Sequence, residues 1–419
     1  MRKYNGGVLS KLRYLAGLIQ VAAVACSIDA ALAAGAAPKI ELDKINPSQV
    51  TTGPYSYFVP PYSYYYFHNM DKLGFRLDWV RHSGPVYALQ EMHAPFSMTY
   101  TYKDQTFTLE QYYQRNAVLG FLVLKDNRIV TEHYFHGANA DSRFLSNSVQ
   151  KSMTSTLVGV ALEEGKIGAI DDPVTKYLPA LSASGYNRVN LVQVLEMATG
   201  IAASEKPLDP NSSIHQFNAM VISGTPSFSD YLKALPANRE VNPGAVFDYV
   251  SVNTEVLGLV LEKATGVPLN AYMQAKLWSK IGAQSDGFIY RAQAQSDQCA
   301  FGCFCATLRD YGRFGLMMMN GGSLGPTRAV GSSWVTQATT PKPFAVPPDG
   351  KDGYGYQWWI PHNNDGAFEA LGIFGQIVYV NPAKHVVVVE AAAWPQPDTD
   401  ERWEEAAAAI DSIVAKLSH

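Results

Sequence analysis

Apolar and polar positions divide the chain into three stretches of different period. In the first, Val118-Leu-Gly-Phe-Leu-Val-Leu124 and Ile129-Val-Thr-Glu-His-Tyr134 flank the polar Lys125-Asp126-Asn127-Arg128, which predicts a β-hairpin with a solvated turn. A polar turn over 144–147 then runs into a helix beginning at or just before Ser148. Thr156, Leu157, Val160, Ala161 and Leu162 make its later turns apolar, and Gly165 is placed as its C-cap. From Pro173 to about Asp286 the pattern is mainly helical, with segments at 191–198, stopped by Gly200, and at 214–235. An amphipathic helix at 307–319 is closed by Asn320-Gly321-Gly322. Segments 354–360, 372–380 and 385–392 alternate or run apolar and predict three strands with tight turns such as Asn381-Pro382, before a last amphipathic helix at 403–417.

Two β-rich flanks around a helical middle predict an α+β fold: an antiparallel sheet assembled from both ends of the chain, flanked by helices, with an inserted all-α domain. The expected boundaries are 116–172 with 287–419 for the α/β domain and 173–286 for the helical one. Residues 34–115 show neither period. Pro54 to Pro61 and Tyr62-Ser-Tyr-Tyr-Tyr-Phe67 read as an aromatic, proline-rich extension packed over the main domain, its tyrosines covered by packing rather than set on a substrate rim.

At 419 residues and 47% apolar, the chain can bury a large core. Lysine and arginine number 33 against 37 acids, without a basic tract, which argues against nucleic acid as a partner. Residues 1–33 read as a secretory leader: Arg2, Lys3, Lys11 and Arg13 precede an apolar run from Tyr14 to Ala25, too short to span a bilayer, and Ala31-Leu32-Ala33 suits cleavage. A rival reading makes Cys26 a lipid-bearing cysteine, and either way the protein is exported. Cys299, Cys303 and Cys305 then remain in one short loop, enough for one disulfide and one thiol. A metal there would need a fourth ligand, and no histidine pair stands nearby at helical or finger spacing.

The candidate chemistry sits at the start of the 148–165 helix. Ser148 and Lys151, three residues apart, share one helix face, so hydroxyl and amine can point into the same cleft. Unpaired N–H groups and the positive dipole end of a first helical turn favour a developing alkoxide and disfavour an ammonium. A desolvated lysine there shifts toward the neutral form that can take a hydroxyl proton. A second motif, Pro243-Gly244-Ala-Val-Phe247-Asp-Tyr249-Val-Ser251-Val-Asn253-Thr254, combines a turn with a helix start at Asn253 or Thr254, which leaves Tyr249 readable as a core tyrosine and Asn253 as a helix cap.

Taken together, Ser148-x-x-Lys151 and Tyr249-x-Ser251-x-Asn253 resemble the serine β-lactamase and penicillin-binding-protein superfamily, in its class C and carboxypeptidase-like branch, over roughly residues 115 to 415. That superfamily carries a third element, Lys-Thr-Gly or His-x-Gly, on a strand beside the nucleophile. The matching stretch here is Ala370-Leu371-Gly372-Ile373-Phe374-Gly375-Gln376, with Ala370 in place of the cation. The missing cation, which in penicillin-recognising members holds the substrate carboxylate, turns the resemblance toward the esterase and amidase members, above all 6-aminohexanoate-dimer hydrolase-like serine hydrolases. The resemblance implies that Ser148 is acylated while Lys151 takes its proton and Tyr249 passes a proton to the leaving group. It implies an oxyanion hole from the backbone N–H groups of Ser148 and Ile373, with Ser251, Asn253, Gly372, Gly375 and Gln376 touching substrate or backing the reacting groups. It implies a small amide or ester as substrate, and neither cofactor nor metal. Peptidoglycan carboxypeptidase or β-lactamase activity, and a non-catalytic binding module, are the competing readings. Gly321-Gly322-Ser323-Leu324-Gly325 matches the nucleophile elbow of α/β-hydrolases only in text, since a helix precedes it and Pro326 follows. Trp358, Trp359 and the tyrosines near residue 65 are candidate wall residues.

Overall fold

The computed structural model describes residues 58, 60–92, 95–205, 212–347, 352–362 and 365–418. The predicted leader, Cys26 and most of Pro54 to Pro61 lie outside them. The strands are β1 (Gln90–Glu91), β2 (Val118–Lys125), β3 (Arg128–Tyr134), β4 (Gly353–Tyr354), β5 (Trp359–Ile360), β6 (Phe368–Gly372), β7 (Gln376–Asn381) and β8 (Val386–Ala392). They form one eight-stranded sheet in the order β4-β5-β6-β7-β8-β2-β3-β1, antiparallel except where β1 joins β3. β8 pairs with β2, Val388 opposite Val123, which is where the two ends of the chain close into one sheet.

Period-two alternation then assigns the faces. Leu122, Leu124, Val387 and Val389 face the core that includes helix Leu308–Met319. Phe121, Val123, Val386 and Val388 face helix Asp400–Leu417 through Ala406, Ala409, Ile410 and Ile413. Between 173 and 286 the described elements are helical, and they share the first of these cores: Val256, Leu257 and Val260 lie in it with Met153, Leu157 and Val158.

Three details differ from the pattern-based reading. The segment 372–380 is a hairpin, not one strand, because Phe374 and Gly375 adopt positive φ of 66° and 83° and turn the chain between β6 and β7. The segment 214–235 is two helices, Ser213–Ser223 and Phe228–Ala234, parted at left-handed Gly224 and Pro226. Residues 34–115 contain regular structure: Arg76–Val80 pairs with Gly287–Arg291 in a second, four-stranded sheet, and helix Leu109–Arg115 starts from a Thr108/Gln111 capping box. The tyrosine run is itself a short helix, Tyr62–Tyr66, with Tyr64 and Tyr66 buried.

The central element is α1 (Val149–Glu163), buried from Val149 through Ala161 on every side. A helix surrounded by core must bond its polar side chains internally, and this one does. Gln150 Nε2 donates to the Cys299 carbonyl at 2.8 Å while its Oε1 accepts from Cys303 N at 2.7 Å and Phe304 N at 3.0 Å. Thr154 Oγ1 donates to Ala300 O and Ser155 Oγ to Tyr356 O, both at 2.7 Å. Gly159 is where the helix meets Trp334: a β-carbon there would stand 2.5 Å from the indole. Helix propensity alone favours alanine over glycine by roughly 1 kcal/mol, whereas overpacking costs about 1–3 kcal/mol. Gly159→Ala is therefore expected to lower the denaturation midpoint, and an unchanged or raised midpoint would show that Trp334 yields freely.

Candidate active site

Strand Phe144–Leu145 is fixed on one side by Cys305 and Ala306 and on the other by the Phe67 carbonyl, which accepts from Leu145 N at 2.7 Å. Asn147 follows with φ of 41°, a left-handed kink that swings the chain into α1. The Asn147 side chain donates to the Ile373 carbonyl at 2.9 Å, tying this kink to the β6–β7 turn. Ser148 occupies the N-cap position, yet its hydroxyl caps no backbone N–H. Instead Lys151 Nζ donates to Ser148 Oγ at 2.7 Å.

Lys151 is 2% exposed. Its amine also reaches the Phe301 carbonyl at 3.3 Å and lies 5.0 Å from the Tyr249 ring and 5.4 Å from that of Phe301. Burial lowers its pKa to about 8, against the pull of Glu205, which favours the ammonium. Tyr249 hydrogen-bonds with the Ser148 hydroxyl, and burial pushes its phenol well above the usual range. The structure thus brings Ser148, Lys151 and Tyr249 into one cluster.

Gly372 closes another side. A β-carbon there would stand 2.9 Å from Ser148 N and 2.7 Å from Ser146 O, so only glycine leaves the space before the Ser148 amide open. Next along the turn, Phe374 N donates to Pro397 O, and Phe374 stacks on Phe58 at 5.3 Å and meets Phe67 edge-on at 5.4 Å. The aromatic extension therefore buttresses this turn, and Tyr64 stacks on His136.

The remaining sequence candidates separate. Ser251 and Asn253, at the start of α2 (Ser251–Thr265), face different neighbours because positions two apart lie on opposite helix faces. Ser251 gives its backbone N–H to Glu205 Oε1 at 2.6 Å and its hydroxyl to Oε2 at 3.1 Å. Asn253 is fully buried, accepting from Tyr186 and Thr199. Gln376 is buried, bonded to the Phe374 and Ala392 carbonyls, and Gly375 lies over Trp394. Trp358 stacks on Phe314 in the core, while its half-buried neighbour Trp359 lies 5.4 Å from Tyr249. Ser323 sits in a two-residue strand of a small hairpin, without an elbow. Cys299 pairs with Cys303, and Cys305 is a buried thiol that burial pushes well above its usual pKa. Sequence reasoning missed Glu205, half-buried and acting on Lys151 through charge, its pKa raised to about 6 by desolvation. No periodicity marks it, since only the chain path from Ile201 back to Ser251 brings it there.

A family model described as Beta-lactamase matches residues 108–411. The 6-aminohexanoate-dimer hydrolase of Paenarthrobacter ureafaciens is 33% identical over 305 residues, covering 70% of this chain and 76% of that protein. A solved structure from Bacillus anthracis, provisionally described as a 6-aminohexanoate-dimer hydrolase, superposes with a TM-score of 0.79 at 22% identity, covering 89% of this chain and 99% of that one. A provisionally described D-alanyl-D-alanine carboxypeptidase of Escherichia coli (strain K12) is 26% identical over 186 residues, 39% of this chain and 41% of that protein. The chain belongs to the β-lactamase family, as a serine hydrolase of the amidase and esterase type.

Glu205→Gln keeps an acceptor for Ser251 but removes the charge that favours the Lys151 ammonium. The lysine is therefore expected to titrate lower, by on the order of one pH unit, read as a downward shift of the acid limb of fluorophosphonate inactivation. An upward shift would mean that Glu205 does not act on the amine through charge.

Proposed function

We propose that the protein hydrolyses small amides or esters of the 6-aminohexanoate-oligomer type through an acyl-enzyme on Ser148. The observation that carries this reading is the 2.7 Å contact between a buried lysine amine and a serine hydroxyl that caps nothing. In its neutral form Lys151 accepts the hydroxyl proton across that contact as Oγ bonds to the substrate carbonyl. The tetrahedral oxyanion faces the N–H groups of Ser148 and Ile373, in the space that Gly372 leaves open. When the bond to nitrogen or oxygen breaks, Tyr249 delivers a proton to the departing group and takes up the one held by Lys151; water then adds to the acyl ester, one of its protons returning to Ser148 Oγ as the acyl chain leaves as the acid. Ala370 supplies no cation for a carboxylate on the departing part of the substrate, and the aliphatic acyl chain needs none. The half-buried Trp359 beside Tyr249 is an apolar wall suited to it. Likeness to the carboxypeptidase keeps D-alanyl-D-alanine cleavage as the second reading, tested with penicillin as a competing acylating agent.

Intact mass after p-nitrophenyl acetate or a fluorophosphonate is expected to show one adduct on the wild type and none on Ser148→Ala, with turnover reduced at least about 10³-fold. Labelling that survives the substitution would move the nucleophile elsewhere, and an unlabelled, inactive, folded wild type would favour a binding module. Activity should rise with pH through about 8, because only the neutral amine serves as base and its fraction grows as pH passes the Lys151 value. A limb below 7 would point to a different base.

Gly372→Ala places a methyl group against the Ser148 amide. It is expected to lower kcat by roughly 10²-fold or more, the size of losing one oxyanion donor, and to lower the melting temperature as well, since the methyl also stands 2.7 Å from the Ser146 carbonyl. Full activity would remove Ser148 N–H from the mechanism. Export belongs to the same proposal: cell fractionation and the N-terminal mass of the mature protein would distinguish cleavage after Ala33, a lipid on Cys26, and retention of the leader.

A further inference from the structure

We infer that the loop closed by the Cys299–Cys303 disulfide is a positioning device for Lys151: its Phe301 carbonyl and ring hold the amine against Ser148, and the disulfide keeps the loop in the shape that does so. The inference rests on Lys151 acting as the base. The two cysteines are only four positions apart, with their α-carbons 5.8 Å apart, so the bridge contributes little to joining distant parts of the fold. What it closes is the segment that touches the amine, through the Phe301 carbonyl at 3.3 Å and the Phe301 ring at 5.4 Å.

Cys299, Ala300, Phe301 and Cys303 of that loop are in turn fastened to the helices around the site. The Cys299 carbonyl and Cys303 N–H are both held by Gln150, the residue before Lys151. The Ala300 carbonyl accepts from Thr154, one turn further along α1, and Ala300 N–H donates to buried Glu255 on α2. The Phe301 ring is seated against Phe217 at 5.3 Å and Phe228 at 6.0 Å, on the two helices at 213–234. Gln150 and Thr154 flank Lys151 on its own helix, so the loop is strapped to α1 on both sides of the lysine. The groups that set the charge at the amine are Ser148 and Tyr249 in front, Glu205 with Ser251 across from it, and Asp248 acting on Glu205. Among these contacts, the loop supplies the apolar cover and a backbone acceptor.

The test follows p-nitrophenyl acetate acylation against pH in three variants. Cys299→Ala/Cys303→Ala opens the loop, Thr154→Val removes its strap, and Thr156→Val is a control whose hydroxyl bonds to Ser152 within its own helix. The double variant is expected to lose at least about tenfold in acylation rate, since small misplacements of reacting groups cost this much or more. Its acid limb should move upward as water reaches the ammonium. Thr154→Val should move both in the same direction by a smaller amount, and Thr156→Val should move neither. Folded variants that keep the wild-type rate and limb, with only a lower melting temperature, overturn the inference. Should the double variant not fold, Thr154→Val decides it alone: a rate and limb matching the Thr156→Val control overturn it. A wild type with no limb near 8 overturns the base assignment itself, and the loop's role with it.

Discussion

A lysine amine taken out of water and set 2.7 Å from a serine hydroxyl is the interaction on which the rest of this structure depends. An ammonium in that position costs free energy, so burial moves the group toward the neutral amine. The same environment then requires that every other polar atom near it be bonded, because an unpaired one would cost a further 1–3 kcal/mol or so. Gln150, Ser152, Thr154 and Ser155 meet this requirement through the segments that form the walls of the site, and Thr156 through Ser152 of its own helix.

The sheet and helices can be understood as the frame for that burial. β2 and β8 bring the two ends of the chain together, the helix Leu308–Met319 covers one face, and α1 lies in the core they share with α2. Gln357 links the parts: its side chain donates to the Val194 and Leu195 carbonyls and accepts from Thr254, while its own carbonyl accepts from Ser152. The Ser148–Lys151–Tyr249 cluster therefore stands where the helical segment, the segment before β5 and α1 are hydrogen-bonded to one another. The β6–β7 turn is held to Asn147 on one side and to Phe58 on the other, so the geometry around Ser148 is fixed from the sheet and from the N-terminal segment.

The residues behind the cluster belong to one electrostatic unit. Lys151 is buried and Glu205 half-buried, and desolvation pushes each toward its neutral form while their attraction opposes this. Ser251 holds the carboxylate with two hydrogen bonds, where motif reading left open whether it touches substrate or backs the reacting groups. In the proposed reaction the lysine is thereby kept between two limits: basic enough to take a proton, and apolar enough in its surroundings to begin without one.

The sequence by itself determined the parts governed by short-range periodicity. Strand alternation and helix period located the hairpin at 118–134, the helix that follows Ser148 and the last helix, and positions three apart put Ser148 and Lys151 on one face because a helical turn returns after 3.6 residues. The same local reasoning could not see that Phe374 and Gly375 reverse the chain, since a positive φ at phenylalanine is imposed by what surrounds it: Pro397, Phe58 and Phe67. Only the tertiary structure decided that Glu205 stands behind Lys151, that Phe301 covers it, that Asn253 faces the core, and that adjacent Trp358 and Trp359 divide between core and site. Each of these is a contact between segments far apart in sequence, made by close packing of side chains whose identities carry no mark of the partner they will meet.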